Sequence, residues 1–469
     1  AVTGVQPCAL PICYAVIIIG WEKQEMKFIS TRAVATDGAP HAACVNFEHA
    51  VLDCMPADGG LYVPYERPDL RRWILYTNER TPFASIAGTL TSACINDEFS
   101  PIICETIATR AFPFAPRLTK YTDRFFTLEL CNTPTGSHKD FGVSYLVNCL
   151  ETIFNLKGGN AVFLDATYGE LGASLARSLK GKKHVKAVLL YPRGYVRGLS
   201  DSDFVWKGGN ILPLEVDGPE NDCHQLVREV FSRRNLVEKY HLTVANTANI
   251  GRLMPQTFFY PYAFSRLKSH IHNDIFYAMV GGNYSNLVAG MYSWQLALPV
   301  NGFICPATQA LAADALGQCS VSDSMVPLSE RGASDPASPS SLERLEEIFH
   351  NNSLMLKNLV FPVPVSREDT DAACKKLFMK YGIFADKHTA RAYAAAQNDK
   401  ALTAEDEAAV VLVVRDHPAL QADYIRHTTG EAPDLPESVA LALQHTSLDR
   451  PMITTSAEVI AALEMLGQE

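Results

Sequence analysis

Glu129-Leu130-Cys131-Asn132-Thr133-Pro134-Thr135-Gly136-Ser137-His138-Lys139-Asp140-Phe141-Gly142 is the stretch on which the reading of this 469-residue chain turns. Polar and glycine residues surround Lys139 and an apolar run, Val143 to Leu150, follows it, so the lysine falls at or near a helix start. A lone lysine is nearly always a solvated surface charge. In a cleft beside a phosphate-holding loop it acquires another use, because desolvation lowers its pKa and leaves an amine able to form a Schiff base.

Two loops have the makeup to hold a phosphate. Gly281-Gly282-Asn283-Tyr284-Ser285-Asn286 lies between a strand-like run ending at Val280 and a helical one. Glycines there let backbone N–H groups converge, and a helix N-terminus adds a positive dipole. Ala166-Thr167-Tyr168-Gly169-Glu170-Leu171-Gly172 also leads from strand to helix, with a weaker pattern. Many such segments are simply tight turns.

Around these loops the chain alternates apolar strand runs with helical spacing. Strands are expected at Ala161–Leu164, Lys186–Tyr191, Ile211–Val216, His241–Ala245, Ile275–Val280 and Ala408–Val414. Helices are expected at Ala173–Leu179, Asp222–Tyr240, Arg252–Leu267 and Leu287–Leu298. That order argues an α/β protein with largely parallel sheets. Met26 to about Leu118 is mixed and reads as a small α+β entry domain. Ser329 to Ser341 is rich in Ser and Pro and reads as a long surface loop.

With 47% hydrophobic residues the chain is too apolar to be disordered. Lys plus Arg number 41 against 51 Asp plus Glu, a net charge of -10 with no basic cluster, which argues against nucleic acid as a partner. The 12 cysteines form no CxxC pair, so reduced, buried thiols in a cytoplasmic protein are expected. His270 and His272 end a basic helix and read as solvated surface, so no metal is expected. The most apolar run, Tyr14 to Trp21, is far short of the ~20 residues a membrane helix needs. Residues 1–25 carry neither a basic targeting region nor patterning that continues into the fold, and an artefactual extension is expected there. The sequence specifies no oligomeric state.

Glu129 to Gly142 is similar to the pyridoxal-phosphate lysine segment of the threonine synthase family, E-L-x-H-G-P-T-x-A-F-K-D-F-G. Further blocks agree in order. Asp58-Gly59-Gly60-Leu61-Tyr62 resembles the family's N-terminal D-G-G-L-Y, and Asp222-Cys223-His224-Gln225-Leu226-Val227 resembles D-C-Q-x-L-V. Ala245 to Leu253 resembles A-N-S-I-N-x-x-R-L, with Ala248 at the Ile position. Gly282-Asn283-Tyr284-Ser285-Asn286 resembles G-N-F-G-D, and Ser341 to Leu345 and His417-Pro418-Ala419 extend the similarity.

The resemblance implies a fold type II pyridoxal 5'-phosphate (PLP) enzyme, tryptophan synthase β-like, with two α/β domains of mainly parallel sheet plus a small N-terminal domain. The divisions expected are 26–118 for the N-terminal α+β domain, 119–255 for a smaller α/β domain carrying Lys139, and 256–469 for a larger one carrying the phosphate loop. The activity implied is conversion of O-phospho-L-homoserine and water to L-threonine and phosphate, with a small amino-acid phosphate as substrate. Lys139 would carry the cofactor in Schiff-base linkage. Gly282, Asn283, Tyr284, Ser285 and Asn286 would hold its phosphate. Glu170 falls where S-G-D-T-G places Asp near the 3-hydroxyl, and Arg415 where T-A-H-P supplies a Thr to the pyridine nitrogen. Asn249 and Arg252 would meet the substrate's phosphate or carboxylate.

Several of these positions depart from the family pattern. The family Phe is His138, as in the A-H-K segment of tryptophan synthase β, where His lies beside the cofactor phosphate. Asp has become Glu170, Gly has become Ser285, Thr has become Arg415, and the Lys of H-P-A-K-F has become Leu420. Cofactor binding is therefore expected to survive better than turnover. The alternatives are a diverged fold type II enzyme acting on another amino acid, or a PLP-binding paralogue with little or no turnover.

Overall fold

A parallel strand buried on both faces needs an unbroken apolar run, and Ala409–Val414, reading AVVLVV, is the clearest case. The computed structural model describes residues 27–33, 44–65, 67–95, 98–271, 274–315, 318–322, 326–327, 330–349, 353–399, 402 and 408–466; the expected extension at 1–25 and His272 lie outside them. At the head of the chain β1 (Phe28–Ser30) and β2 (Tyr62–Pro64) pair antiparallel. β3 (Arg117–Lys120), β4 (Phe125–Glu129), β5 (Ala161–Ala166), β6 (Val185–Pro192), β7 (Ile211–Val216) and β8 (Leu242–Thr243) follow. The remaining described strands are β9 (Ile275–Ala278), β10 (Gly302–Pro306), β11 (Leu311–Ala313), β12 (Cys319–Val321), β13 (Val360–Val363) and β14 (Ala409–Val414).

Two parallel sheets result. One is four-stranded, ordered β7-β6-β5-β8. The other is six-stranded, ordered β13-β10-β9-β14-β4-β3, with only β3 antiparallel to its neighbour. Membership is discontinuous in sequence, because Val410–Val414 pairs in register with Phe125–Glu129 and draws β3 and β4 into the sheet of β9, β10, β13 and β14. The turn that leads to Lys139 thus leaves from the same sheet as the Gly281–Asn286 loop.

The helix that begins at Lys139 runs to Lys157, and every residue from Asp140 to Glu151 is buried. A helix covered on all sides belongs to the interior. Phe141 packs edge-on to Phe83 at 5.5 Å and to Phe259 at 4.9 Å between ring centres. The stripe Phe258, Phe259, Tyr262 and Phe264 is core, each side chain being buried.

Three expectations need correction. The Asp222–Tyr240 helix is two, Glu220–Phe231 and Arg234–Tyr240, broken where the Ser232 hydroxyl bonds the Glu229 carbonyl at 2.7 Å. The Arg252–Leu267 helix is likewise interrupted: Pro255 brings no N–H, and Met254–Phe258 tightens into a 3-10 turn between Ile250–Leu253 and Phe259–Leu267. The stretch 330–341 is a strap rather than a free surface loop, with Ala337 and Ser341 buried. Its Ser334 N–H donates to Gly59 O at 2.8 Å, its Pro336 carbonyl accepts from Asn246 at 2.7 Å, and its Ser341 N–H donates to Asn283 O at 2.9 Å.

Candidate active site

The carboxyl ends of β4, β9 and β14 lie side by side, and that of β5 faces them from the other sheet; open parallel sheets bind ligands at such edges. After β4 the chain turns into the lysine helix. Asp140 fixes this turn, accepting from Thr135 N at 2.8 Å and Thr135 Oγ1 at 2.9 Å while almost fully buried. Lys139 Nζ meets the carboxylate of Glu170, the first residue of the helix Glu170–Leu179 after β5. The lysine charge holds the Glu170 carboxyl below its ordinary range.

After β14 come Arg415 and Asp416, folded against the lysine turn. The His138 N–H donates to Arg415 O at 2.9 Å, and Ser137 forms a bridge pair with Asp416. Asp416 Oδ1 accepts from Ser137 Oγ at 2.7 Å and lies 3.1 Å from His138 Nδ1. Burial alone would raise the Asp416 carboxyl, but His138, Arg415 and Lys139 together hold it far below the carboxylate range. Burial also holds His138 below its usual range, against the pull of Asp416. The pair is then an ionised carboxylate receiving Nδ1–H from a neutral imidazole.

The loop after β9 is tightly set. Gly282 and Tyr284 both take left-handed conformations, with φ of 54 and 64. Tyr284 has no glycine's freedom there, at a cost of about 1–3 kcal/mol; its N–H closes onto Gly281 O at 2.7 Å and its hydroxyl lies 2.5 Å from Thr308 Oγ1. Asn283 Nδ2 donates to Thr247 Oγ1 at 2.7 Å, and its Oδ1 accepts from Ser285 N at 3.2 Å. Asn286 Nδ2 donates to Gln256 Oε1 at 2.5 Å. The helix Ser285–Gln295 starts immediately, so its first N–H groups point back into the loop.

Arg252 lies one turn along from Lys139, its Nη1 only 1.9 Å from where a Cβ on Gly142 would be, an approach that glycine alone permits. The side chain is buried, and its Nε and Nη1 have no hydrogen-bond partner. Burial lowers its pKa to about 10, partly opposed by Asp140 and Asp165, so it stays charged at neutral pH. Asn249, expected beside it at the substrate, is committed elsewhere. Its Oδ1 caps Gly251 N at 2.9 Å, and its Nδ2 donates to Val51 O and Thr243 Oγ1, both at 2.8 Å. Asn249 has no exposed surface.

Sequence reading missed Asp416, Asp140 and Arg344. Asp416 carried a signal: it stands at the Ala of T-A-H-P in the same chain that puts His at the family's Phe, and the two side chains meet. Among the described residues no group of His, Cys, Asp and Glu could hold a metal ion.

Residues 113–416 match the pyridoxal-phosphate dependent enzyme family, and residues 27–112 match the threonine synthase N terminus. Threonine synthase of Escherichia coli is 30% identical over 403 residues, covering 85% of this chain and 92% of that protein. That of Buchnera aphidicola subsp. Acyrthosiphon pisum is 32% identical over 355 residues, covering 75% and 82%. The chain belongs to the threonine synthase family. Its fold is that of a fold type II PLP enzyme: the crystal structure of threonine synthase from Escherichia coli superposes with a TM-score of 0.74 at 26% identity, covering 95% of this chain and 100% of that one. A PLP-bound threonine synthase from Brucella melitensis gives 0.76 at 21% identity over 94% and 99%.

The residues present fit PLP. An amine stands at a helix start, a glycine loop opens a second helix, and two guanidinium groups, Arg415 and Arg252, carry nitrogens without partners beside them. Donors left unfilled in a largely buried setting call for an anion.

Proposed function

We propose that this chain converts O-phospho-L-homoserine and water to L-threonine and phosphate, with Lys139 as the PLP-bearing lysine. One observation carries the substrate class. A PLP enzyme acting on an unphosphorylated amino acid needs a single phosphate site, at the Gly281–Asn286 loop; this chain buries a second guanidinium, Arg252, with two unpartnered nitrogens against the lysine helix.

When bound, PLP supplies an electron sink for charge developed at Cα and then at Cβ. Lys139 Nζ takes the proton from Cα and serves as acid later in the sequence. Glu170 meets that amine and offers its ammonium form a counter-charge. Asp140 and Thr135 hold the lysine turn in place. Arg252 binds the substrate phosphate that leaves Cγ, and water adds at Cβ. We place the protein in the cytoplasm: buried cysteines from Cys54 to Cys374 are free thiols, as a reducing compartment keeps them. Among the described residues no helix is long and apolar enough to cross a membrane.

The test is PLP loading, then borohydride reduction and peptide mapping on one portion and, on an unreduced portion, phosphate release from O-phospho-L-homoserine with L-serine, L-threonine and L-homoserine assayed alongside. The expected result is label on Lys139 and turnover of the phosphorylated substrate. Turnover of another amino acid instead would make this a diverged enzyme, and label without turnover a binding paralogue.

A further inference from the structure

Arg415 occupies the position where the family's T-A-H-P motif implies a partner for the pyridine nitrogen, but its side chain goes elsewhere. Its Nη1 lies 3.1 Å from the place a Cβ would take on Gly282, in the middle of the phosphate loop. The backbone explains the direction. β14 lies between β4 and β9, with Leu412 paired to Ala278 and Val414 to Glu129, so Arg415 leaves the sheet between the lysine turn and the Gly281–Asn286 loop. A long side chain there can cross to the loop, and a left-handed glycine leaves room for it.

The guanidinium is poorly satisfied where it lies. The side chain is 16% exposed, its Nε is buried with no partner among the described residues, and its ion pair with Asp416 is a loose one, Nη2 to Oδ2 at 4.0 Å. The other Asp416 oxygen is already taken by Ser137 and His138. Arginine has five donors in a planar fork suited to phosphate oxygens. His138, held neutral by burial, cannot supply the missing positive charge.

We infer that Arg415 is a phosphate-binding residue for the cofactor, adding a guanidinium to the loop and leaving the ring nitrogen without a charged partner. The inference rests on the proposed PLP site. It also gives the Ser285 and Arg415 departures a common meaning, since a loop that has exchanged a glycine for Ser285 gains a cationic contact from the next strand. Asp416 is then a positioning residue that holds Arg415 and the lysine turn together.

The experiment compares PLP with pyridoxal, which lacks the phosphate, by direct titration of the cofactor-free full chain through protein fluorescence and cofactor absorbance. Arg415→Thr should weaken PLP by about 10- to 100-fold, the worth of a charge-assisted hydrogen bond. Pyridoxal should change by less than about three-fold, because it presents nothing for this residue to hold. Arg415→Lys, which keeps the charge and disturbs the fold less, should retain part of the preference for PLP. Equal weakening of both ligands, in either variant, would overturn the inference in favour of a ring or structural role. Unchanged PLP affinity would overturn it as well. Failure of the unaltered chain to bind PLP at all would instead refute the proposed function.

Discussion

Arg344→Met should destabilise the protein and loosen the phosphate loop together. Arg344 has no exposed surface, and it joins three carbonyls: Nε to Tyr62 O at 3.0 Å, Nη1 to Thr247 O at 2.5 Å and Nη2 to Ala248 O at 2.7 Å. One guanidinium therefore ties β2 to the turn that leads to Arg252. Thr247 in turn receives the side-chain amide of Asn283, inside the loop. Each carbonyl left unpaired costs about 1–3 kcal/mol, but removing the buried charge recovers part of that, since burial already lowers the Arg344 pKa to about 10. The net loss should be about 3–5 kcal/mol, three unpaired carbonyls less the desolvation recovered with the guanidinium. In urea, where m for a chain of this length exceeds ~3 kcal/mol/M, that corresponds to a midpoint lower by about 1 M. Fluorescence-monitored unfolding gives the midpoint, and PLP titration of the folded variant gives the affinity, expected to fall about ten-fold or less. Arg344→Lys cannot span three carbonyls and should recover little. A midpoint within about 0.3 M of the unaltered protein would refute the energetic argument. A large destabilisation with unchanged PLP affinity would refute the connection to the loop.

Lys139→Ala should eliminate borohydride-fixed cofactor, and label appearing on another lysine would show the assignment to be wrong. Gly282→Ala forces a side chain into a left-handed conformation and against Arg415 Nη1, so PLP affinity should drop about ten-fold; an unchanged Kd would mean the loop does not hold the phosphate. Burial pushes the Asp165 carboxyl up to about 7, whereas it is about 3.9 in an unfolded chain. The folded state therefore keeps this proton longer, its contribution being complete below pH ~4 and lost as pH rises through 7. Thermal midpoints should fall between pH 5 and 8, and Asp165→Asn should flatten that slope; identical slopes would contradict it.

What the sequence disclosed and what it hid follow from the range of the interactions. β14 and β5 were legible because parallel strands buried on both faces need continuous apolar runs. The lysine helix was legible for the same reason, although its true span, Lys139–Lys157, exceeds the apolar run. Pro255 could have warned that the Arg252–Leu267 helix would break, since it removes a donor wherever it stands. The strap at 330–341 was hidden because Ser and Pro composition reports local turns and not the partners Gly59, Asn246 and Asn283. The His138–Asp416 contact joins residues 278 apart, and Arg344 reaches Tyr62 across 282. No periodicity carries such pairings. Asn249 shows the opposite hazard: its place in a matching motif suggested a ligand contact, whereas its side chain caps a helix.

The most direct test of the account is turnover of O-phospho-L-homoserine in 18O-labelled water by the PLP-loaded protein. The proposed reaction breaks the Cγ–O bond and adds water at Cβ. Threonine should therefore carry one 18O in its hydroxyl group, and the released phosphate should carry none. Homoserine with labelled phosphate would instead mean hydrolysis at phosphorus, and no product from unreduced protein whose PLP loading is complete by cofactor absorbance would mean a cofactor-binding relative without this chemistry. Either result would contradict the central claim.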